Sequence, residues 1–310
     1  MTTELQKNIE LWIDSLESGF GNAEIMPPLL RGLDCEAILP SELKQIAINL
    51  SSKIEHFSKV QSANIEKWEL GWQENLDQLN DASDVQSALV PKYLLKSKFF
   101  RVNGKYYRMP YPEFFPALHS ALILRILAKI PAEEFTSIVE LGAGSCQNIP
   151  LIHSIFPEYP LYACDWSLAS VAIAERLNKL VSPKIHGVRY DYFGNNELNI
   201  SNSLVLTIHS LEQIGNDMSV LERILEGKPK FVLHIEPVVE NYYSESELGE
   251  DLIQLHNVRN YLTGLPSWLE HQETNRRIRV IDKGKFEIGS EISEPYSYYL
   301  WEPTDHFAVS

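Results

Sequence analysis

The chain is poor in residues that staple or ligate. Its 310 residues include three cysteines, Cys35, Cys146 and Cys164, too few and too irregularly placed for a disulfide framework or a zinc site. No metal centre is therefore expected. No stretch approaches the roughly 18 consecutive apolar residues of a membrane-spanning helix. The opening MTTELQKNIELW alternates charged and apolar residues and lacks the basic start and apolar core of a secretory signal. These absences predict a cytoplasmic protein with no membrane association. Basic residues are also scarce, with 27 Lys and Arg against 42 Asp and Glu, a formal charge of −15. Such a surface repels a phosphate backbone, and the densest basic group, Arg276, Arg277 and Arg279, sits in a strand-like pattern. A nucleic-acid partner is disfavoured; a neutral or cationic small molecule, or a peptide, suits the charge better. There is no internal repeat and no low-complexity linker.

What is present is ordinary for a soluble globular chain: 44% hydrophobic and 22% charged residues, at a length that holds an α/β core and an accessory region. Residues 1–96 read as helical with no strand signal. Apolar residues recur at helical spacing in Ile46, Leu50, Ile54 and Phe57, then in Ile65, Trp68 and Trp72. This segment is expected to be a helical cap; a packing layer that never meets the active site is the plainer reading. Residues 97–136 read as a hairpin and a helix leading into the core. Within FFRVNGKYYRMPYPEFF, Asn103-Gly104 suits a tight turn with positive φ at both central positions, and LHSALILRILAKI, Leu118 to Ile130, follows as an apolar helix ending at Pro131. From residue 137 to 310, strands alternate with helices. The candidates are Ser137–Leu141, Leu161–Asp165, Ile185–Tyr190, Ser203–Ile208 and Phe231–Glu236, with Arg277–Ile281 and Tyr296–Trp301 as two further strands that an antiparallel arrangement would suit. That alternation predicts a parallel sheet covered on both faces.

The chemistry-bearing stretch is SIVELGAGSCQNIPLI, an apolar strand running into two glycines and then a helix. Bare backbone at Gly142 and Gly144 would let a ligand lie close to the chain. A P-loop is excluded because no lysine follows before Lys179, and the third glycine of a dinucleotide fingerprint is missing. A Tyr-x-x-x-Lys pair of the short-chain dehydrogenase type is also absent. Downstream, LYACDWS puts Asp165 at the end of the second core strand, where a carboxylate can accept both hydrogen bonds of a ribose diol; as a plain structural residue it would cap the helix starting at Trp166. VRYDYF puts Asp191 after the third, where it could accept from an adenine amino group beside the Tyr192 ring; otherwise it is a turn residue. Ligands of open α/β sheets bind at these carboxyl ends.

Together these features resemble the class I S-adenosylmethionine-dependent methyltransferases. The family's acidic-x-Gly-x-Gly motif matches Glu140, Leu141, Gly142, Ala143 and Gly144, and ACDWSLASVAIAERL is similar to its second motif. SLVLTIHSLEQIG resembles the fourth-strand motif, and Glu236-Pro237 the fifth-strand end. Cys146 stands where many members have a third glycine and Gln213 where a histidine is frequent. Local wording, CDWS and QNIPLI, is also similar to methyltransferases acting on cytidine in transfer RNA, a substrate that the acidic charge argues against. The Asn/Asp-Pro-Pro-Tyr signature of adenine and glutamine methylating enzymes is absent.

The resemblance implies a Rossmann-like, mostly parallel seven-stranded sheet with an antiparallel last strand. It implies S-adenosyl-L-methionine as cofactor, S-adenosyl-L-homocysteine as product, and an O or N atom of a small metabolite or peptide as acceptor, in a biosynthetic methylation. The cofactor would meet Arg108, Glu140, Gly142, Ala143, Gly144, Asp165, Trp166, Asp191, Tyr192 and His209. Arg108 would bind its carboxylate, unless it is an ordinary surface arginine. Catalytic candidates are His209 as general base, then Glu212 and Tyr111, with Gln213, Glu236 and His256 as competing polar groups; Tyr107 and Tyr111 wall the pocket or are simply core. His234 reads as a core histidine. Two other readings keep part of this picture: a non-catalytic cofactor-binding partner subunit of another enzyme, and an NAD(P)-dependent oxidoreductase.

Overall fold

The computed structural model describes residues 36–59, 65–81, 83–131, 134–194, 197–293 and 296–304. Cys35 and the charged N-terminal stretch lie outside them, as do residues 1–35 of the expected helical segment. Among the described residues the helical part consists of α1 (Pro40–Lys59), α2 (Ile65–Asp81) and α3 (Val85–Leu89). The spacing seen in the sequence puts Ile46, Leu50 and Ile54 on the buried face of α1, where they meet Leu252 and Leu255 of α8 (Gly249–Val258).

The hairpin forms as β1 (Phe99–Val102) and β2 (Lys105–Arg108), with Asn103 at φ 49° and Gly104 at φ 74°, both positive as the turn demands. A third strand, β9 (Ile288–Ser290), pairs antiparallel with β1; the sequence reading missed it. Three residues with one period-2 repeat carry almost no pattern, so only pairing reveals them. The following helix is α4 (Phe114–Leu127), starting four residues earlier than expected. Pro116 falls in its first turn, where no amide hydrogen is needed, so the proline does not delay the helix.

The core sheet has seven strands in the order β5-β4-β3-β6-β7-β10-β8. They are β3 (Ile138–Leu141), β4 (Leu161–Asp165), β5 (Ile185–Arg189), β6 (Leu204–Ile208), β7 (Phe231–Glu236), β8 (Ile278–Lys285) and β10 (Ser297–Pro303). Six run in one direction; β10 alone is antiparallel to its neighbours β7 and β8. This is the Rossmann-like sheet with an antiparallel last strand that the sequence implied. Every residue of β3, β6 and β7 is buried, as expected of strands covered on both faces.

One face packs on α4, α5 (Ile149–Ile155) and α6 (Leu168–Leu180), around Ile138, Leu206, Leu233 and Leu300. The other packs on α7 (Ser219–Glu226) and α9 (Leu265–Thr274), around Val139, Val205, Val232 and Trp301. The chain leaves β3 toward β4 and β5 on one side and returns as β6 on the other. The order therefore reverses between β3 and β6, and at the carboxyl ends of those two strands the loops diverge and leave a crevice. Among the described residues no helix is long and apolar enough to cross a membrane.

Candidate active site

The glycine loop begins at that crevice. Gly142 (φ 76°), Gly144 (φ 55°) and Cys146 (φ 60°) all take left-handed backbone, which turns the chain sharply from β3 toward α5. The amides of Gly142 and Ala143 both donate to the Cys164 carbonyl, at 2.7 and 3.0 Å, so the loop is stitched to the end of β4. Asp165 holds the next stretch. Its Oδ2 accepts from Gly144 N at 2.8 Å and its Oδ1 from Ser167 N at 2.9 Å. The helix cap expected at Asp165 is instead Ser167, whose hydroxyl accepts from Ser170 N. Burial raises the Asp165 carboxyl to about 6, against the pull of those backbone amides toward the ionised form.

Tyr190 N donates to the Asp165 carbonyl, so Asp191 stands on the same rim one strand over. It is exposed and its Oδ1 accepts from Phe193 N at 2.9 Å, the geometry of a turn residue. Trp166, beside Asp165, is half-buried.

Side chains of the chain itself meet the bare faces of the two glycines. A Cβ on Gly142 would lie 2.3 Å from Ser210 Cβ, and one on Gly144 would lie 3.0 Å from Trp72 Cζ2. Tyr192 reaches over the first of these: its hydroxyl donates to the Leu141 carbonyl at 3.1 Å and lies 2.9 Å from Ser210 Oγ. Trp72 belongs to α2, whose Glu69 also accepts from Ala169 N at the start of α6. The helical segment thus touches the glycine loop directly.

Glu140 is fully buried at the end of β3. Its Oε1 accepts from Asn148 Nδ2 at 2.8 Å while Oε2 has no hydrogen-bond partner, and burial raises the carboxyl to about 8. A buried carboxyl oxygen without a donor is costly and needs an account. Beside it lies a group that the sequence reading did not single out. His119 on α4 contacts Asn148 Oδ1 at 2.9 Å and Gln147 Nε2 at 3.0 Å through Nε2, and Tyr296 Oη at 3.1 Å through Nδ1. The rings of His119, His209 and Tyr296 are mutually 5.4 to 5.9 Å apart. The signal was legible: His119 is an imidazole amid the apolar FFPALHSALIL, on a helix with eleven buried residues.

His209 follows β6 at φ 53°, half-buried, with its amide donated to the Ile235 carbonyl at 2.9 Å. Glu236 ends β7 fully buried and accepts from Ser210 N and Leu211 N; burial raises it to about 8. Glu212, in the short 3-10 turn Leu211–Ile214, is half-buried, and its charge acts on Glu236 and Arg259. His234 is the core histidine expected, bonded to Thr207 Oγ1 at 2.8 Å and held down at about 3 by burial. His256 is buried with its Nε2 on the Leu262 carbonyl.

Two further candidates are engaged by other residues of the chain. Arg108 is engaged by Glu42, at 2.7 and 2.9 Å, and by Glu36 at 2.6 Å, so the cation expected to bind a ligand carboxylate instead ties β2 to α1 and the segment before it. Tyr111 is half-buried and packs edge-on against Phe114 at 5.8 Å.

No family model matches the chain, and no curated protein matches it. Among solved structures it is similar to mitomycin 7-O-methyltransferase MmcR, at 16% identity over 61% of this chain and 55% of that one, with a TM-score of 0.47. It is similar to a SAM-dependent methyltransferase from Aquifex aeolicus at 14% identity, 57% and 87% coverage and a TM-score of 0.41. Human N-acetylserotonin methyltransferase, solved in complex with SAM, matches at 15% identity, 60% and 52% coverage and a TM-score of 0.42. The chain thus spans about half the length of the first and third.

Proposed function

We propose that the protein is an S-adenosylmethionine-dependent methyltransferase acting on an O or N atom of a small metabolite or peptide. The observation that carries this reading is Glu140 Oε2, buried and without a donor at the point where strand order reverses. An ammonium group supplies the donor that this oxygen lacks. Asp165 retains lone pairs beyond its two backbone amides and could accept from a ribose diol, and Asp191, on the same rim, could accept from an adenine amino group.

The fit is close at these acids and tighter at the glycines, where a ligand lying along the loop meets Trp72 and Tyr192 first. Trp72 would have to yield at Gly144 or serve as a wall. Trp166 and Ala143 complete the expected cradle, and residues 1–96 would act as its cap through α2.

The cofactor, when bound, supplies a methyl group on a sulfonium, activated for in-line displacement, so the chain's task is orientation and exclusion of water. His209, next to the loop and in the ring cluster with His119 and Tyr296, is the group placed to take a proton from an O–H or N–H acceptor. Glu212, on the same loop, could hold a cationic part of the substrate. Arg108 has no part in this scheme.

Calorimetry with S-adenosylhomocysteine and with NAD(P) tests the reading. Binding of the first in the micromolar range, lost in Asp165→Ala, is expected; absence of binding, or binding of NAD(P) instead, refutes it. Incubation with methyl-labelled cofactor and a cell extract then separates an enzyme, which labels a product, from a binding subunit, which does not.

A further inference from the structure

Four buried polar side chains from four places in the sequence form one chain of contacts: Glu140 on β3, Asn148 before α5, His119 on α4 and Tyr296 before β10. Their burial needs a reason, because a satisfied polar network adds order that an apolar core achieves without desolvating polar groups. The chain has a direction. Asn148 offers one donating end and one accepting end. When its Nδ2 donates to Glu140, its Oδ1 faces His119, so Nε2 must carry the imidazole hydrogen. Nδ1 is then bare and Tyr296 must donate to it.

If Glu140 is protonated and donates to Asn148 instead, every step reverses. Asn148 then donates to a bare Nε2, and Nδ1–H donates to the Tyr296 oxygen. The Tyr296 hydrogen is turned away from His119. The contacts at Nε2 ask for opposite things: Asn148 Oδ1 at 2.9 Å wants a hydrogen there, and Gln147 Nε2 at 3.0 Å wants a lone pair. The imidazole sits where the two directions meet.

We infer that His119 and Asn148 are positioning residues that transmit the charge on Glu140 to the Tyr296 hydroxyl, turning it from donor to acceptor on the side away from His119. This rests on the cofactor reading above, since the cofactor's ammonium is what would ionise Glu140. The proton count balances: Glu140 gives one proton to solvent, the Asn148 amide turns over, and the imidazole exchanges its hydrogen from Nδ1 to Nε2 through solvent. Other titratable groups that bear on Glu140 are Asp165 and Cys164 on β4 and Cys146 on the glycine loop; Asp165 disfavours its ionisation, and both thiols are held neutral by burial. Burial favours the neutral form of Glu140 before any cation arrives, and in that form the Asn148 amide is turned over from the orientation drawn by its Nδ2 contact to Glu140.

Nitrogen-15 imidazole spectra of the full chain test this, with His119 identified among the nine histidines by its loss in His119→Gln. The expected wild-type tautomer is Nδ1–H at neutral pH, switching to Nε2–H above about 8, where Glu140 ionises, and at neutral pH on saturation with S-adenosylhomocysteine. In Glu140→Gln the carboxamide can always donate to Asn148, so Nδ1–H is expected to persist throughout. A wild type that binds S-adenosylhomocysteine yet keeps one tautomer across the titration overturns the inference. Absence of binding in calorimetry refutes the cofactor reading and, with it, the coupling to a ligand, while the pH arm still reads the chain of contacts by itself. Should His119→Gln fail to fold, the Glu140→Gln difference spectrum identifies the same resonance.

Discussion

Folding stability is expected to fall as pH rises above neutrality, because two buried glutamates at the rim hold protons that the unfolded chain has already lost. Glu140 and Glu236 are both raised to about 8 by burial, against an ordinary glutamate value of 4.5. Between those values the native state binds more protons than the unfolded state, so the slope of stability with pH is negative, and the loss is complete once pH exceeds the native value. From about pH 7 to about pH 9 each glutamate removes on the order of 1 kcal/mol, so the pair removes on the order of 2 kcal/mol, a large share of a domain's stability of about 5–15 kcal/mol. The other perturbed groups act elsewhere. Asp165, raised to about 6, has spent its effect by neutrality. His119, lowered to about 4, and His234, to about 3, are buried neutral, so they add stability as pH rises toward 6.5 and little beyond it. Urea titrations across the window measure the slope, and Glu140→Gln should halve it, ending up more stable than wild type at the alkaline end. If the glutamine variant keeps the full slope, or wild-type stability is flat across the window, Glu140 is not protonated in the native state and the electrostatic account of the site fails. Saturating S-adenosylhomocysteine should also remove the Glu140 share, since its ammonium makes the ionised form the favoured one.

Arg108→Ala should leave folding stability close to that of the wild type, because its ion pairs are partly exposed and screened; calorimetry should show unchanged affinity for S-adenosylhomocysteine, and a tenfold loss would return Arg108 to the binding site. Trp72→Ala should raise that affinity severalfold if the indole competes with the ligand for Gly144 and lower it if the indole is a wall of the site, so unchanged affinity would exclude contact in either role.

Local patterning made the core legible. The strands Leu161–Asp165 and Phe231–Glu236 have the boundaries that their apolar runs gave, since a strand buried on both faces can hardly be anything but a short apolar segment between breakers. The Asn103-Gly104 turn followed from backbone sterics alone. Asp165 and Asp191 could be placed on one rim because strand direction and order put consecutive strand ends together. Side-chain partners were less legible, because each is chosen by residues far away in sequence. Arg108 is the example: its partners Glu36 and Glu42 stand 72 and 66 residues away in the chain.

An α/β sheet, a glycine turn at the end of its first parallel strand and acids at three strand ends are legible in the order of residues, because those depend on hydrophobic period and backbone freedom over a few residues. That Trp72 and Ser210 press on the glycines, that Glu140 keeps one oxygen without a donor, and that His119 and Tyr296 meet across 177 residues of chain is visible in the folded molecule alone. Burial and hydrogen-bond partnership arise from packing between distant elements, and no local pattern carries them.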